Sequence, residues 1–538
     1  MKLKILSILI YLFFLSCSNH KPTKLVIILV ADQMRPDHFS RFDSLYKGGF
    51  RWLADNAISF ENAFHQHGYT ATGPGHFSIG SGLYPGPAGV LGNSYFDREL
   101  NKVVNCVEDP DALPIGGGGL GRSIKRYSNN MIGDIIKTIN EDSKVYSVAG
   151  KDRAAIMLAG QNPDLILYYN KLDRFISSSF YVDSIPNWVM SFNEELNLDS
   201  YKDSTWNKIL SDSLYNIFAR SDYFDGEVDL YRKKNDKDID DYSPVFPIGF
   251  NKGAKPGKEF LDTPWFDEKL FNLSSLIVEE AELGKDDNVD LLCIGISAMD
   301  YIIHSYGPFS QEAMDYFLRL DKQLNDFINN LDAEIGLENI EFVLTSDHGG
   351  LPLPEYLPNI GLVGGRINKQ NLQEAFEWID DEISEKYDDG LYVRDWTNYY
   401  FNHEKIKEKN IAIDGPINII KKYLSMVQGI KSVLSKTEIM NSENNDPVSI
   451  RLRNMIHEQK SADVFVVVEE GYVYRSYGTG HGSPYDYDAH VPLLFSREGR
   501  MRKVISDSVE TVDIVPTILD ILNIKTKVNF DGRVLPLK

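Results

Sequence analysis

A mostly parallel α/β sheet with helices on both faces is the architecture this sequence predicts, and three observations predict it. Short apolar runs rich in β-branched residues recur along the chain, a helical pattern separates them, and charged residues stand just past their ends. Leu25 to Val30 is an unbroken apolar run of the kind buried on both faces of a parallel sheet. Val145 to Ala149, Leu291 to Ile296, Phe342 to Thr345 and Val491 to Phe495 are similar. Between the third and fourth, Ala313, Phe317, Leu320, Leu324, Phe327 and Leu331 keep the three-to-four spacing of an amphipathic helix. Open α/β sheets collect ligands at the carboxyl ends of their strands. Asp32, Lys151, Asp300 and Asp347 each follow one of these runs, so the fold can bring them together.

Two stretches fit the alternation poorly. Residues 161–285 are rich in Tyr, Asp, Asn and Ser and contain the charged patch from Arg232 to Asp238. Residues 352–465 hold polar helical patterns such as Gln370 to Lys386. Loops that long in a compact domain are usually functional insertions, so both are expected to cap the sheet's carboxyl edge, with solvated surface decoration as the alternative.

Residues 1–16 read as an export signal: Lys2 and Lys4 precede an apolar run, Ile5 to Leu15, too short to span a bilayer. Leu15-Ser16-Cys17 resembles the lipobox of bacterial lipoproteins, which implies acylation of Cys17, a tether over 17–23 and a catalytic domain over 24–538. The expected location is the cell envelope, periplasmic or outer-membrane, with membrane contact only through the lipid. The chain carries 56 Lys and Arg against 78 Asp and Glu, a net charge of -22. That field disfavours an extended nucleic acid groove. Three cysteines are too few for a disulfide framework, and whether Cys106 and Cys293 pair is left open by the sequence.

Asp32, Asp300, His304, Asp347, His348 and His481 form the oxygen and nitrogen donor set that suits two zinc ions. Asp300 and His304 are four apart, so one helical turn can present both on one face. Thr72 lies in Thr72-Gly73-Pro74-Gly75-His76, where a glycine-rich turn feeds a helix whose free N–H groups suit a phosphoryl group. Thr72 is therefore a candidate nucleophile, against the commoner role of helix cap and against Thr70 as a rival. His65, His67, His76 and His490 are spare histidines, of which His490 is the alternative to His481.

Val30-Ala31-Asp32-Gln33-Met34-Arg35, the Thr72 motif, Leu91-Gly92-Asn93-Ser94, Gly150-Lys151-Asp152-Arg153, Asp300 to His304, Thr345 to Gly349 and His481-Gly482-Ser483-Pro484 occur in one order. Together with Asp513 to Leu519 and Asp531-Gly532-Arg533 they resemble the alkaline phosphatase superfamily, and within it the PafA-like phosphatases of Bacteroidetes that use threonine as nucleophile. The resemblance implies an alkaline-phosphatase-like sheet with cap insertions. It implies one zinc on Asp300, His304 and His481 and a second on Asp32, Asp347, His348 and the Thr72 oxygen. It places Asn93, Lys151 and Arg153 in the phosphate pocket. Lys151 and Arg153 flank one residue, so an extended loop would point both the same way. The implied activity is hydrolysis of small phosphate monoesters through a phosphothreonine. A phosphodiesterase or nucleotide pyrophosphatase on the same scaffold, or a non-catalytic surface lipoprotein, are the alternatives. A sulfatase is disfavoured, because no Cys or Ser followed by x-Pro-x-Arg stands at the nucleophile position.

Overall fold

The computed structural model of the chain describes residues 22–228, 244–250 and 255–537. The export signal, Cys17 with most of its tether, and the patch Arg232 to Asp238 lie outside the described residues. Among the described residues no helix is long and apolar enough to cross a membrane.

Strand Leu25–Ala31 lies inside a ten-stranded sheet, with Asp290–Ile296 and Ile340–Thr345 parallel on either side. Val145–Ala149 and then Leu165–Tyr169 continue the parallel order outward from Asp290–Ile296. Burial explains the apolar run. Leu25, Ile27, Leu29 and Ala31 enter one core and Val26, Ile28 and Val30 the other, all fully buried. Helices Pro264–Glu280 and Gln311–Glu334 supply Leu270, Phe317, Leu320 and Leu324 to the first core. Helices Thr72–Ser81, Asp152–Ala159 and Ile514–Ile521 supply Phe77, Ile79, Ile156, Leu158 and Ile518 to the second. The expected fold class is therefore present, with all five expected strands.

Three expectations are corrected. The run Val491 to Phe495 belongs to strand His490–Ser496, which is antiparallel to both of its neighbours, Ile340–Thr345 and Ala57–Phe64. Double-sided burial produces an unbroken apolar run whatever the strand direction, so the pattern could not report it. Residues 161–285 are not wholly a cap: Leu165–Tyr169 and Phe175–Ser178 extend the main sheet, and Pro264–Glu280 packs beneath it. Their Tyr and Ser content hid these strands. Residues 352–465 contain more than polar helices. Strands Tyr392–Asp395, Asn398–Phe401, Val464–Val468 and Ile430–Ser435 form a separate four-stranded antiparallel sheet. Helices Lys369–Lys386 and Asp414–Leu424 cover it, burying Phe376, Ile379, Ile420 and Leu424 in a third core.

Candidate metal centre and nucleophile

The strand ends position the acidic side chains. Asp32 follows Leu25–Ala31, and its N–H donates to the Ile296 carbonyl at 3.0 Å, tying it to the adjacent strand's end. Asp300 sits in the first turn of helix Ala298–Tyr306, with His304 one turn on. The carboxylate of Asp267, fully buried on another helix, accepts from the N–H groups of Ser297 and Ala298 at 3.1 and 2.9 Å and so fixes that helix's start. Asp347 and His348 follow Ile340–Thr345. Gly75 lets the Thr72–Ser81 helix lie against this loop, since a Cβ there would stand 2.1 Å from the Asp347 carbonyl oxygen.

Two three-residue groups result, Asp300 with His304 and His481, and Asp32 with Asp347 and His348, each with donor atoms within 4.8 Å of one another. These are the two sets expected. In each histidine Nδ1 faces a carbonyl, of Thr479 at 2.9 Å for His304, of Thr70 at 2.8 Å for His481 and of Gly349 at 2.9 Å for His348. A carbonyl only accepts, so Nδ1 carries the proton and Nε2 presents its lone pair. All three Nε2 atoms face carboxylate oxygens: His304 and His481 stand 3.2 and 3.6 Å from Asp300 Oδ1, and His348 is 3.5 Å from both Asp32 Oδ1 and Asp347 Oδ2. Acceptors facing acceptors repel, and a cation between them relieves that repulsion. Asp32 Oδ1, Asp347 Oδ2 and His348 Nε2 are buried and make no hydrogen bond among the described residues, so the donor set fits divalent ions.

Electrostatics agree with that fit. Burial lowers the His304 imidazole to about 4, and burial with the neighbouring His348 and His304 holds His481 well below its ordinary value. His348 is lowered by burial as well, and its ring lies 3.6 Å from that of His481. All three are therefore neutral at pH 7, the form that binds metal. Burial and the adjacent Asp347 push the Asp32 carboxyl well above its usual range.

Thr72 opens the helix Thr72–Ser81, but its N-cap is Ala71, in extended conformation and without a side-chain capping bond. Thr72 is therefore not the cap. Its Oγ1 lies 3.4 Å from both Lys151 Nζ and Arg153 Nη2. The rival Thr70 donates its hydroxyl to the Ser483 carbonyl at 2.8 Å. Asn93 Oδ1 accepts from the Gly73 N–H at 2.7 Å, leaving its amide hydrogens to donate elsewhere. That contact occupies one of the backbone donors expected to face a phosphoryl group. Lys151 and Arg153 converge on Thr72 from other geometry than an extended loop: Lys151 is the N-cap of helix Asp152–Ala159, and Arg153 is in its first turn. Lys151, fully buried, also bridges Asp32 Oδ2 at 2.5 Å and Asp300 Oδ2 at 2.7 Å, one carboxylate from each group.

The remaining expectations resolve simply. His490 donates from Nε2 to the Glu61 carbonyl at 2.6 Å, outside the two groups, and His65 bonds the Ser346 carbonyl and Thr511. His76 stands 3.3 Å from Asp347 Oδ2 through Nδ1, which also faces the Thr72 carbonyl at 2.9 Å. Cys106 and Cys293 are both free and buried, so they do not pair. Asp267 was missed because an acidic residue in a helix carries no local sign that it caps another.

Fold and site together define a hydrolase: the type I phosphodiesterase / nucleotide pyrophosphatase family model matches residues 26–490, and the chain belongs to that family. Among particular proteins it is similar to the alkaline phosphatase PafA of Elizabethkingia meningoseptica, 29% identical over 93% of this chain and 92% of that one. The alkaline phosphatase PhoV of Synechococcus elongatus is also 29% identical, over 99% of each chain. A crystal structure of wild-type PafA superposes with a TM-score of 0.86 at 28% identity, covering 96% of this chain and 98% of that one. The superfamily resemblance and the fold class expected from the motifs are thus borne out.

Proposed function

We propose that this chain is an alkaline phosphatase that hydrolyses phosphate monoesters, with two zinc ions, through a phosphothreonine at Thr72. The observation that carries the reading is the position of the Thr72 hydroxyl, within reach of Lys151 and Arg153 and beside two donor groups that fit metal ions. The relatives named above are alkaline phosphatases, which supports the same choice. Asp300, His304 and His481 would hold one ion and Asp32, Asp347 and His348 the other, with the Thr72 oxygen on the second. When bound, such a pair supplies Lewis acidity at the attacking and leaving oxygens.

The chain's own residues then divide the work. Thr72 Oγ1 attacks phosphorus, and the leaving alcohol or phenol departs on the opposite side. Arg153 and the Asn93 amide donate to the phosphoryl oxygens, and Lys151 adds positive charge beside them. Cations on Asp32 and Asp300 would compete with Lys151 for those carboxylates and so free its ammonium for the anion. Water then cleaves the phosphothreonine and restores the Thr72 hydroxyl.

The family's description also covers diester cleavage, and charge separates the two readings. A monoester dianion has three free oxygens for Arg153 and Lys151, whereas a diester has one charge fewer and a second substituent. The wild-type enzyme is expected to prefer an aryl phosphate to its methyl diester, with Arg153→Ala lowering monoester kcat/KM by roughly a hundredfold and the diester far less. Equal losses on both substrates would show Arg153 to be structural, and a preference for the diester would replace the reading.

We further propose a cell-envelope location through lipid on Cys17, which the Leu15-Ser16-Cys17 pattern supports. Cys17→Ser should move the protein from the membrane fraction to the soluble extract with specific activity unchanged. Wild-type protein with an unmodified N-terminus would contradict this.

A further inference from the structure

A tryptophan occupies a glycine's place at the mouth of the site. In the cap, strands Tyr392–Asp395 and Asn398–Phe401 pair antiparallel with Asp395 opposite Asn398, so Trp396 and Thr397 alone form the hairpin loop. Trp396 has φ +56°, whereas Thr397 is not among the residues with positive φ. A two-residue hairpin with positive φ at its first position ordinarily places Gly there, and for a bulky side chain that conformation is strained. Strain of this kind clusters at active sites and ligand clamps. The side chain gains little from burial in return, being 56% exposed.

The hairpin stands over a cavity of about 380 Å³ between cap and main sheet, within the range of small-molecule sites. Trp396, Tyr474, Tyr69, Arg475 and His481 all line it, so it opens onto a residue of the metal centre. Tyr474 meets Trp396 edge to face, with ring centroids 5.5 Å apart. Tyr69 lies three residues before Thr72, 42% exposed, and a Cβ on Gly482 would stand 3.1 Å from its ring. Tyr69 lines the cavity together with Asp395 and Trp396 of the hairpin and with His481 of the metal centre.

We propose that this aromatic cavity holds the leaving group of the substrate, with Trp396 as a stacking wall, and that it selects phosphate monoesters whose leaving group is planar and aromatic. The inference rests on the monoesterase reading, to which it adds a substrate class. Exposed aromatic faces bind flat rings, and small alkyl alcohols gain nothing from them.

The test compares 1-naphthyl phosphate, adenosine 5′-monophosphate and glycerol phosphate on the zinc-loaded wild type and on Trp396→Gly, Trp396→Ala and Trp396→Phe. Trp396→Gly and Trp396→Ala should raise KM for naphthyl phosphate about tenfold and leave kcat/KM for glycerol phosphate unchanged, with Trp396→Phe retaining most of the preference. A loss on naphthyl phosphate supports a site for any planar ring, and a loss confined to the adenosine ester supports one for nucleobases. Equal changes on all three substrates, or none, would overturn the proposal. Trp396→Gly should also melt above Trp396→Ala, since only glycine relieves the backbone. If the wild type turned over no monoester at all, the function reading would fail by itself. Weaker binding of 1-naphthylphosphonate to Trp396→Gly than to wild type would still support the cavity's role, and equal binding would refute it.

Discussion

Thr72→Ala should lower kcat on an aryl phosphate by at least ~10³-fold while leaving a folded, metal-binding protein. The two parts of that result have separate causes. Removing the hydroxyl removes the attacking atom, and the buried Lys151 and partly buried Arg153 then face a methyl group. Stability changes little, because the helix start at Ala71 uses no side-chain cap and the lost contacts are long ones. A cost of about 1 kcal/mol is the expected scale for a substitution of this kind. Thr72→Ser keeps the oxygen and should keep most of the rate. Near-normal turnover by Thr72→Ala, measured with circular dichroism showing an intact fold, would transfer the attack to water.

Asp300→Ala should be comparably severe for a different reason. Asp300 Oδ1 faces the Nε2 atoms of His304 and His481, and Oδ2 faces Lys151, so one carboxylate organises the whole first donor group. Without it two neutral imidazoles remain, too few to hold an ion in the mature site. Elemental analysis should find about one metal ion fewer per chain, and activity should fall by roughly the thousandfold expected when a catalytic metal is lost. Chelation of the wild type should abolish turnover and added zinc should restore it. Unchanged metal content in Asp300→Ala would remove this residue from the ligand set.

Much of this site was legible because its residues obey local rules. Asp32, Asp300 and Asp347 stand at strand ends, where a parallel sheet gathers its chemistry, and Asp300 with His304 keeps helical spacing. Each of these features survives as a short pattern in one stretch of chain. What depends on distant partners did not. The direction of His490–Ser496 is set by its neighbours, and Lys151's bridge between Asp32 and Asp300 joins residues over a hundred positions apart. In the cap sheet Tyr392–Asp395 and Asn398–Phe401 are four residues long and mix Tyr with polar residues, a weaker signal than the double-buried runs of the main sheet. Trp396 was invisible because no short pattern marks a tryptophan at positive φ, and only the backbone shows it turning a corner.

The central claim is that a phosphoryl group passes through Thr72. Acid quenching during steady turnover of an aryl phosphate, followed by peptide mass spectrometry, measures this directly. The account predicts one phosphoryl group on the peptide carrying Thr72, located on that residue and absent from Thr72→Ala. Steady product release with Thr72 never modified, or with the group found on Thr70, would contradict it.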